Sequence, residues 1–239
     1  MMRPTRATPD PRGPLRVHLL GLVDFEEALR LQWGLVYRLN GGEDGAALVL
    51  CEHPPLITLG RHSGRPIPLL TEEVRDRGWP MRWVGRGGGA VLHLPGQLAI
   101  YPVLPLDRLG MDVGGYLGRL HGALLDVLDD FGIRGEGRPG EPGVWVAGRF
   151  IATVGVALRH RVTTFGAVLN VEPDLTQYRV LSGGWTFTSL ARERGGPVRS
   201  QLVRQRLIEH FAGRLGYEQI DMVFPSAGQP GHERLEARR

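Results

Sequence analysis

Residues 86–103 read RGGGAVLHLPGQLAIYPV. Gly87, Gly88 and Gly89 stand between apolar runs, and three glycines in a row allow positive φ and let a ligand lie against bare peptide. The following AVLH and QLAIYPV are apolar runs bounded by turn residues and read as strands joined at LPG. With PMRWV ahead of the glycines, the segment predicts strand, glycine turn, strand, turn, strand, with a binding turn at one end. A plain hairpin with a flexible tip is the alternative for such a turn taken alone. A phosphate loop is excluded, because no lysine and hydroxyl follow the glycines at P-loop spacing.

On the N-terminal side, LRVHLLGLVDF is a short strand. DFEEALRLQWGLVYRLN follows as a helix with Asp24 as N-cap and Ala28, Leu31, Leu35 and Leu39 on one face, ended by NGGEDG. AALVLCE is a strand, HPPLITLGRHSGRPIPLL contains a second short one, and TEEVRDRG is a helix capped by Thr71. On the C-terminal side, DVGGYLGRLHGALLDVLDDFG is a helix with Tyr116, Leu120, Leu124 and Leu128 on its apolar face and Gly132 as C-cap. GVWVAG, RFIATVGVALRH and VTTFGAVLNV are strands on short turns, and SQLVRQRLIEHFAGRLG is a closing helix capped by Ser200. The pattern predicts a single α+β domain over residues 15–224, an antiparallel or mixed sheet packed with helices. Disordered tails are expected at 1–14 and 225–239.

With 42% hydrophobic and 23% charged residues the chain has ordinary globular composition, enough for a sizeable core. No run of 18 apolar residues occurs, and MMRPTRATPDPRGP carries prolines and an aspartate where a signal peptide would be apolar. A soluble, cytoplasmic protein with no membrane partner is the expectation. The net charge of +4 is dispersed among acids, as in EEVRDRGWPMR and ARERGGPVRS, which argues against nucleic acid and for an acidic protein partner. All 29 basic residues are arginine, so no chemical step can use a lysine amine of this chain. The one cysteine, Cys51, excludes an internal disulfide and a multi-cysteine metal cluster, and at the end of AALVLC it reads as a small buried hydrophobe. The five tryptophans are spread through the elements and read as core or pocket wall rather than a platform for bases.

EHPPLITLGRH (52–62), RGGGAVLHLPGQLAIYPV, GVWV (143–146), RFIATVGVALRHRVTTFGAVLNVEPDL (149–175) and RVLSGG (179–184) are collinear over about residues 15–220. Together they resemble the lipoyl/octanoyl transferases of the biotin/lipoate protein ligase superfamily, and PGQLAIYPV and GVWV look like the transferase branch. The resemblance implies a biotin/lipoate transferase-like fold. It also implies an enzyme that takes an octanoyl group from octanoyl-acyl carrier protein, holds it as a thioester on cysteine, and passes it to a lysine of a lipoyl domain. The acceptors would be lipoyl domains of 2-oxoacid dehydrogenases or the glycine cleavage H protein; no cofactor and no metal is implied. The acyl tunnel and its mouth then map onto Arg86, Gly87, Gly88, Gly89, Ala90, Val91, Leu92 and His93. Contacts to the acyl chain map onto Thr153, Val154 and Gly155 and onto Gly166, Ala167 and Val168, where small residues on facing strands would leave room for an eight-carbon tail.

The chain departs from the family pattern at two positions. Ser182 of LSGG stands where the family's PCG cysteine is expected, and Phe150 of RFIATVG where its strand carries a lysine. Cys51 lies in a different element. A serine needs an adjacent base that a thiolate does not. His93 is the candidate base, with His53 and His62 more remote, and orienting the loop or lining the tunnel is the other reading of His93. Direct attack of an acceptor lysine on the donor thioester would need neither missing group, with backbone N–H groups near Gly183 and Gly184 facing the oxyanion. Arg61 and Arg86 are expected to meet the phosphate of the carrier's prosthetic arm or its acidic surface, or else solvent. The alternative function is a non-catalytic homologue that binds an acyl chain, acyl carrier protein or a lipoyl domain.

Overall fold

A computed structural model describes residues 12–61, 71–138, 140–141, 143–181 and 184–224. His62, Ser182, Gly183 and most of both expected tails lie outside the described residues. In chain order the first half comprises β1 (Leu15–Leu22), α1 (Phe25–Asn40), β2 (Ala46–Glu52), β3 (Leu56–Leu59), α2 (Thr71–Asp76), β4 (Met81–Trp83), β5 (Ala90–His93) and β6 (Gln97–Val103). The second half comprises α3 (Val113–Asp130), β7 (Glu136–Gly137), β8 (Gly143–Val146), β9 (Arg149–Arg159), β10 (Val162–Asn170), a 3₁₀ turn (Leu175–Val180), α4 (Leu190–Arg194), α5 (Ser200–Leu215) and β11 (Ile220–Val223).

The large sheet runs β11-β1-β2-β6-β10-β9-β8-β7, and a small one runs β4-β3-β5. The large sheet is mixed: β11, β1 and β2 are parallel neighbours, and the pairs from β2–β6 to β7–β8 are antiparallel. The unbroken apolar runs of β2 and β6 follow from burial on both faces. Leu48, Leu50, Leu98 and Ile100 join the core under α3 and α5, while Val49, Cys51, Ala99 and Tyr101 join a second core under α1. The small sheet has its own cluster, in which Ile57, Leu59 and Leu92 meet Val74, Tyr178 and Val180.

Several local expectations shift by a residue. Asp24 is the N-cap of α1, but its carbonyl rather than its side chain accepts, from Glu27 and Ala28 N–H. Ser200 is the first helical residue of α5 rather than its cap, which is Arg199, and Thr71 likewise opens α2. Gly132, at φ +71°, follows the C-cap Phe131. Arg12 donates to the Leu215 carbonyl at 3.1 Å and lies over the Tyr217 ring, so the end of the expected N-terminal tail packs against the foot of α5. Among the described residues no helix is long and apolar enough to cross a membrane.

Candidate functional site

A narrow cleft lies between the two sheets, bounded on one side by Phe25 at the start of α1. Strand alternation decides which side chains reach it. On the small sheet Thr58 pairs with Val91, and these two and His93 line the cleft, while Leu92 turns to the opposite cluster and Ala90 packs against that cluster. From the large sheet come Tyr101, Thr153, Gly155, Phe165, Gly166, Ala167 and Val168. Of the wall expected from sequence, Arg86, Val91, His93, Thr153, Gly155, Gly166, Ala167 and Val168 are brought together here. Gly87, Gly88, Gly89, Ala90 and Leu92 are not, and Val154 belongs to the core under α3 and α5. Phe25, Thr58, Tyr101 and Phe165 were not anticipated; their apolar or alternating context marks them only as core.

Arg86 overturns the expectation of a cation facing a phosphate or solvent. It is 5% exposed. Its Nη1 donates to the carbonyls of Gly87 and Gly89, both at 3.0 Å, and its Nη2 to the Thr58 carbonyl at 2.9 Å and Thr58 Oγ1 at 2.8 Å. Burial lowers its pKa to about 10, so the charge is retained at neutral pH and spent on bracing the glycine turn. The turn is also tied down by Gly87 N–H to the Val156 carbonyl, 2.9 Å, and Gly60 N–H to the Gly89 carbonyl, 3.1 Å. Gly88 takes the positive φ, +80°, that this path needs. Arg61 remains exposed.

The glycines of the facing strands have a different use from the one expected. A Cβ on Gly155 would stand 2.8 Å from the Gly87 carbonyl oxygen and 3.1 Å from Arg86 Cδ, and one on Gly166 would collide with the Ile100 carbonyl. The space they leave is taken by the protein's own backbone and by Arg86.

Behind the cleft wall lies a buried polar chain. Nδ1 of His53 faces the Val23 carbonyl at 2.8 Å, so it carries the proton and Nε2 accepts from the Tyr101 hydroxyl at 2.9 Å. Cys51 Sγ lies 3.6 Å from the same Nε2. Burial, reinforced by the Glu52 charge, raises the Cys51 thiol far above its ordinary pKa, which leaves it protonated and inert. Nε2 of His93 is 3.0 Å from Thr58 Oγ1, which also accepts from Arg86, so this ring nitrogen is engaged with the threonine hydroxyl in either tautomer. Burial first, then the His53 and Arg86 charges, hold His93 well below the usual histidine pKa.

These histidines set the stability at mildly acid pH. Burial lowers both His18 and His53 to about 4, against about 6.5 in an unfolded chain. Between those values the unfolded chain binds more protons, so stability is complete above about pH 6.5 and is lost as pH falls towards 4. A melting temperature several degrees lower at pH 5 than at pH 7.5 is expected from thermal unfolding; an unchanged or higher one would contradict the neutral, buried state of these rings.

Phe150 does not line the cleft. It is buried in an aromatic cluster with Trp145, Trp185 and Phe187. Its N–H donates to the Thr186 carbonyl and its carbonyl accepts from Thr188 N–H, both at 2.8 Å. On the other side of residues 182–183, Tyr178 donates to Asn170 Oδ1 at 2.6 Å, and Asn170 Nδ2 donates to the Thr188 carbonyl at 2.9 Å. Both flanks of Ser182 are thus anchored where β9 begins and β10 ends.

The family described as the lipoyl protein ligase A/B catalytic domain matches residues 24–212. An octanoyltransferase of Geotalea uraniireducens is 36% identical over 200 residues, covering 82% of this chain and 91% of the relative. One of Chloroflexus aggregans is 39% identical over 203 residues, covering 81% and 91%. The crystal structure of a lipoate-protein ligase A bound with ATP superposes with a TM-score of 0.71 at 19% identity, over 89% of this chain and 90% of that one, a likeness of fold. The match to the family over most of its length, with relatives at 36–39% identity, places this chain in the lipoyl protein ligase A/B catalytic-domain family.

Proposed function

We propose that the protein is an octanoyltransferase that moves an octanoyl group from octanoyl-acyl carrier protein to a lysine of a lipoyl domain, in the cytoplasm. The observation that carries this is the cleft between Arg86, Val91 and His93 on one side and strands β9 and β10 on the other, in a chain whose relatives at 36–39% identity bear that name. The acceptors are lipoyl domains of 2-oxoacid dehydrogenases or the glycine cleavage H protein. The cleft wall takes the acyl chain, and the segment around Ser182 takes the thioester.

This chain has no lysine, and its single cysteine is buried and protonated. Transfer therefore runs without the family's cysteine and lysine. In the route that suits this site, the neutral amine of the acceptor lysine attacks the thioester carbonyl carbon. The C–N bond forms, the C–S bond breaks, and the departing thiolate of the carrier takes up the amine proton. Holding donor and acceptor together is the main contribution, of the order of 7–11 kcal/mol in favourable geometry. An acyl-serine on Ser182 would need a base, and His93 is poorly suited because Thr58 engages its Nε2 and burial weakens its basicity.

Intact masses after incubation with octanoyl-acyl carrier protein, with and without a lipoyl domain, test this. Octanoyl appearing on the lipoyl domain faster than without the protein is the expected result. Acylation of the protein at Ser182 would replace the direct route by a covalent one. Unchanged masses with both partners bound would leave a binding protein and overturn the assignment.

A further inference from the structure

We infer that Phe165, backed by Phe25, closes the inner end of the cleft and sets the longest acyl chain it accepts. The inference rests on the octanoyl reading of the cleft. Four described residues other than glycine have positive φ. Ala147, His160 and Arg161 lie between strands, in the tight turns joining β8 to β9 and β9 to β10. Phe165, at φ +56°, lies inside β10. A bulky side chain rarely adopts this conformation, and such outliers persist only where the surroundings enforce them. Here α1 supplies the restraint: the fully buried Gln32 accepts from Phe165 N–H through Oε1 at 2.9 Å. The ring it positions packs with Phe25 and Leu56 and forms part of the cleft wall. Phe25 is itself wedged against the rings of His53 and His93, at 5.4 and 5.8 Å between centroids.

The register gives the cleft a direction. Val168 pairs with Thr153 near the end of β10, where Asn170 donates to the Thr188 carbonyl, and Phe165 pairs with Val156 further along the same two strands. Val168 lies three residue steps along the strand from Phe165, about 10 Å. An octanoyl group whose carbonyl sits beside Val168 spans that distance and meets the Phe165 ring with its last carbon. A chain of twelve carbons has nowhere to put its final four.

The test measures dissociation constants of carrier protein bearing octanoyl, decanoyl, dodecanoyl and tetradecanoyl groups, for the wild type, Phe165→Gly and Phe25→Leu. Glycine accepts the positive φ, so Phe165→Gly removes the ring without adding backbone strain. Phe25→Leu provides a second opening in a residue free of that restraint. The wild type is expected to bind octanoyl-carrier protein tightest. Phe165→Gly is expected to raise the affinity for dodecanoyl relative to octanoyl at least tenfold, with a smaller change in the same direction for Phe25→Leu. Octanoyl binding with the same length profile in all three proteins would overturn the inference and leave the octanoyl reading standing. Acylated carriers binding no better than the unacylated carrier, in every protein, would overturn both.

Discussion

Arg86→Met is expected to lower stability by about 3 kcal/mol or more and to reduce acyl transfer at least a hundredfold. Two effects oppose each other. The native protein holds this charge in a buried site, and its pKa of about 10 against the ordinary 12.5 measures that burden, about 3 kcal/mol on the scale of 1.36 kcal/mol per unit. Against it stand four charge-assisted hydrogen bonds, each contributing about 1.5–3 kcal/mol. Methionine relieves the first and forfeits all of the second, leaving the Gly87 and Thr58 carbonyls without this donor. The bonds win. The loss in transfer exceeds the loss in stability because Arg86 itself lines the cleft, and small displacements of a positioning element are costly. Arg86→Lys separates charge from geometry: an ammonium keeps the charge but lacks the fork that reaches the turn and Thr58 together, so it should recover only part of the stability. Urea unfolding of the three proteins decides the matter. Arg86→Met within about 0.5 kcal/mol of the wild type would show that the turn does not depend on this side chain.

The helices and long strands were legible because their patterns are local. α1 carries a helical apolar face, β2 and β6 are unbroken apolar runs, and the hairpin from β9 to β10 is announced by polar residues between β-rich segments. β11 was not legible: IDMV is a short strand whose partner, β1, is about two hundred residues away. The cleft was legible as a neighbourhood but not face by face. AVLH was taken whole, yet pairing with β3 sends Val91 and His93 into the cleft and Leu92 away from it. Arg86 reads as a surface cation because burial of an arginine depends on acceptors brought by another strand, here Thr58. The backbone at Phe165 was invisible for the same reason, since the sign of its φ is held by Gln32, 133 residues earlier.

Ser182→Cys is expected to accelerate octanoyl transfer at least a hundredfold and to accumulate an octanoyl-thioester on the protein, visible as a mass increase that hydroxylamine removes. A free cysteine is a few per cent thiolate at neutral pH and strongly nucleophilic, whereas a serine hydroxyl without a base is neither. The thioester it forms also stays activated towards the acceptor amine. Adding Phe150→Lys carries an opposing cost. The side chain would enter the cluster of Trp145, Trp185 and Phe187, where loss of the aromatic ring costs about 3–5 kcal/mol. The same burial lowers a lysine's pKa towards neutrality, which is the state in which an amine serves as a base. Phe150→Lys alone should therefore destabilise the protein without speeding transfer, and the double variant should be faster than Ser182→Cys alone while melting at a lower temperature. No gain from the cysteine, in a protein that still binds octanoyl-carrier protein, would mean that residue 182 does not meet the thioester. A gain from the cysteine with none from the added lysine would mean that the aromatic cluster holds position 150 away from the reacting atoms, as it holds Phe150 out of the cleft now.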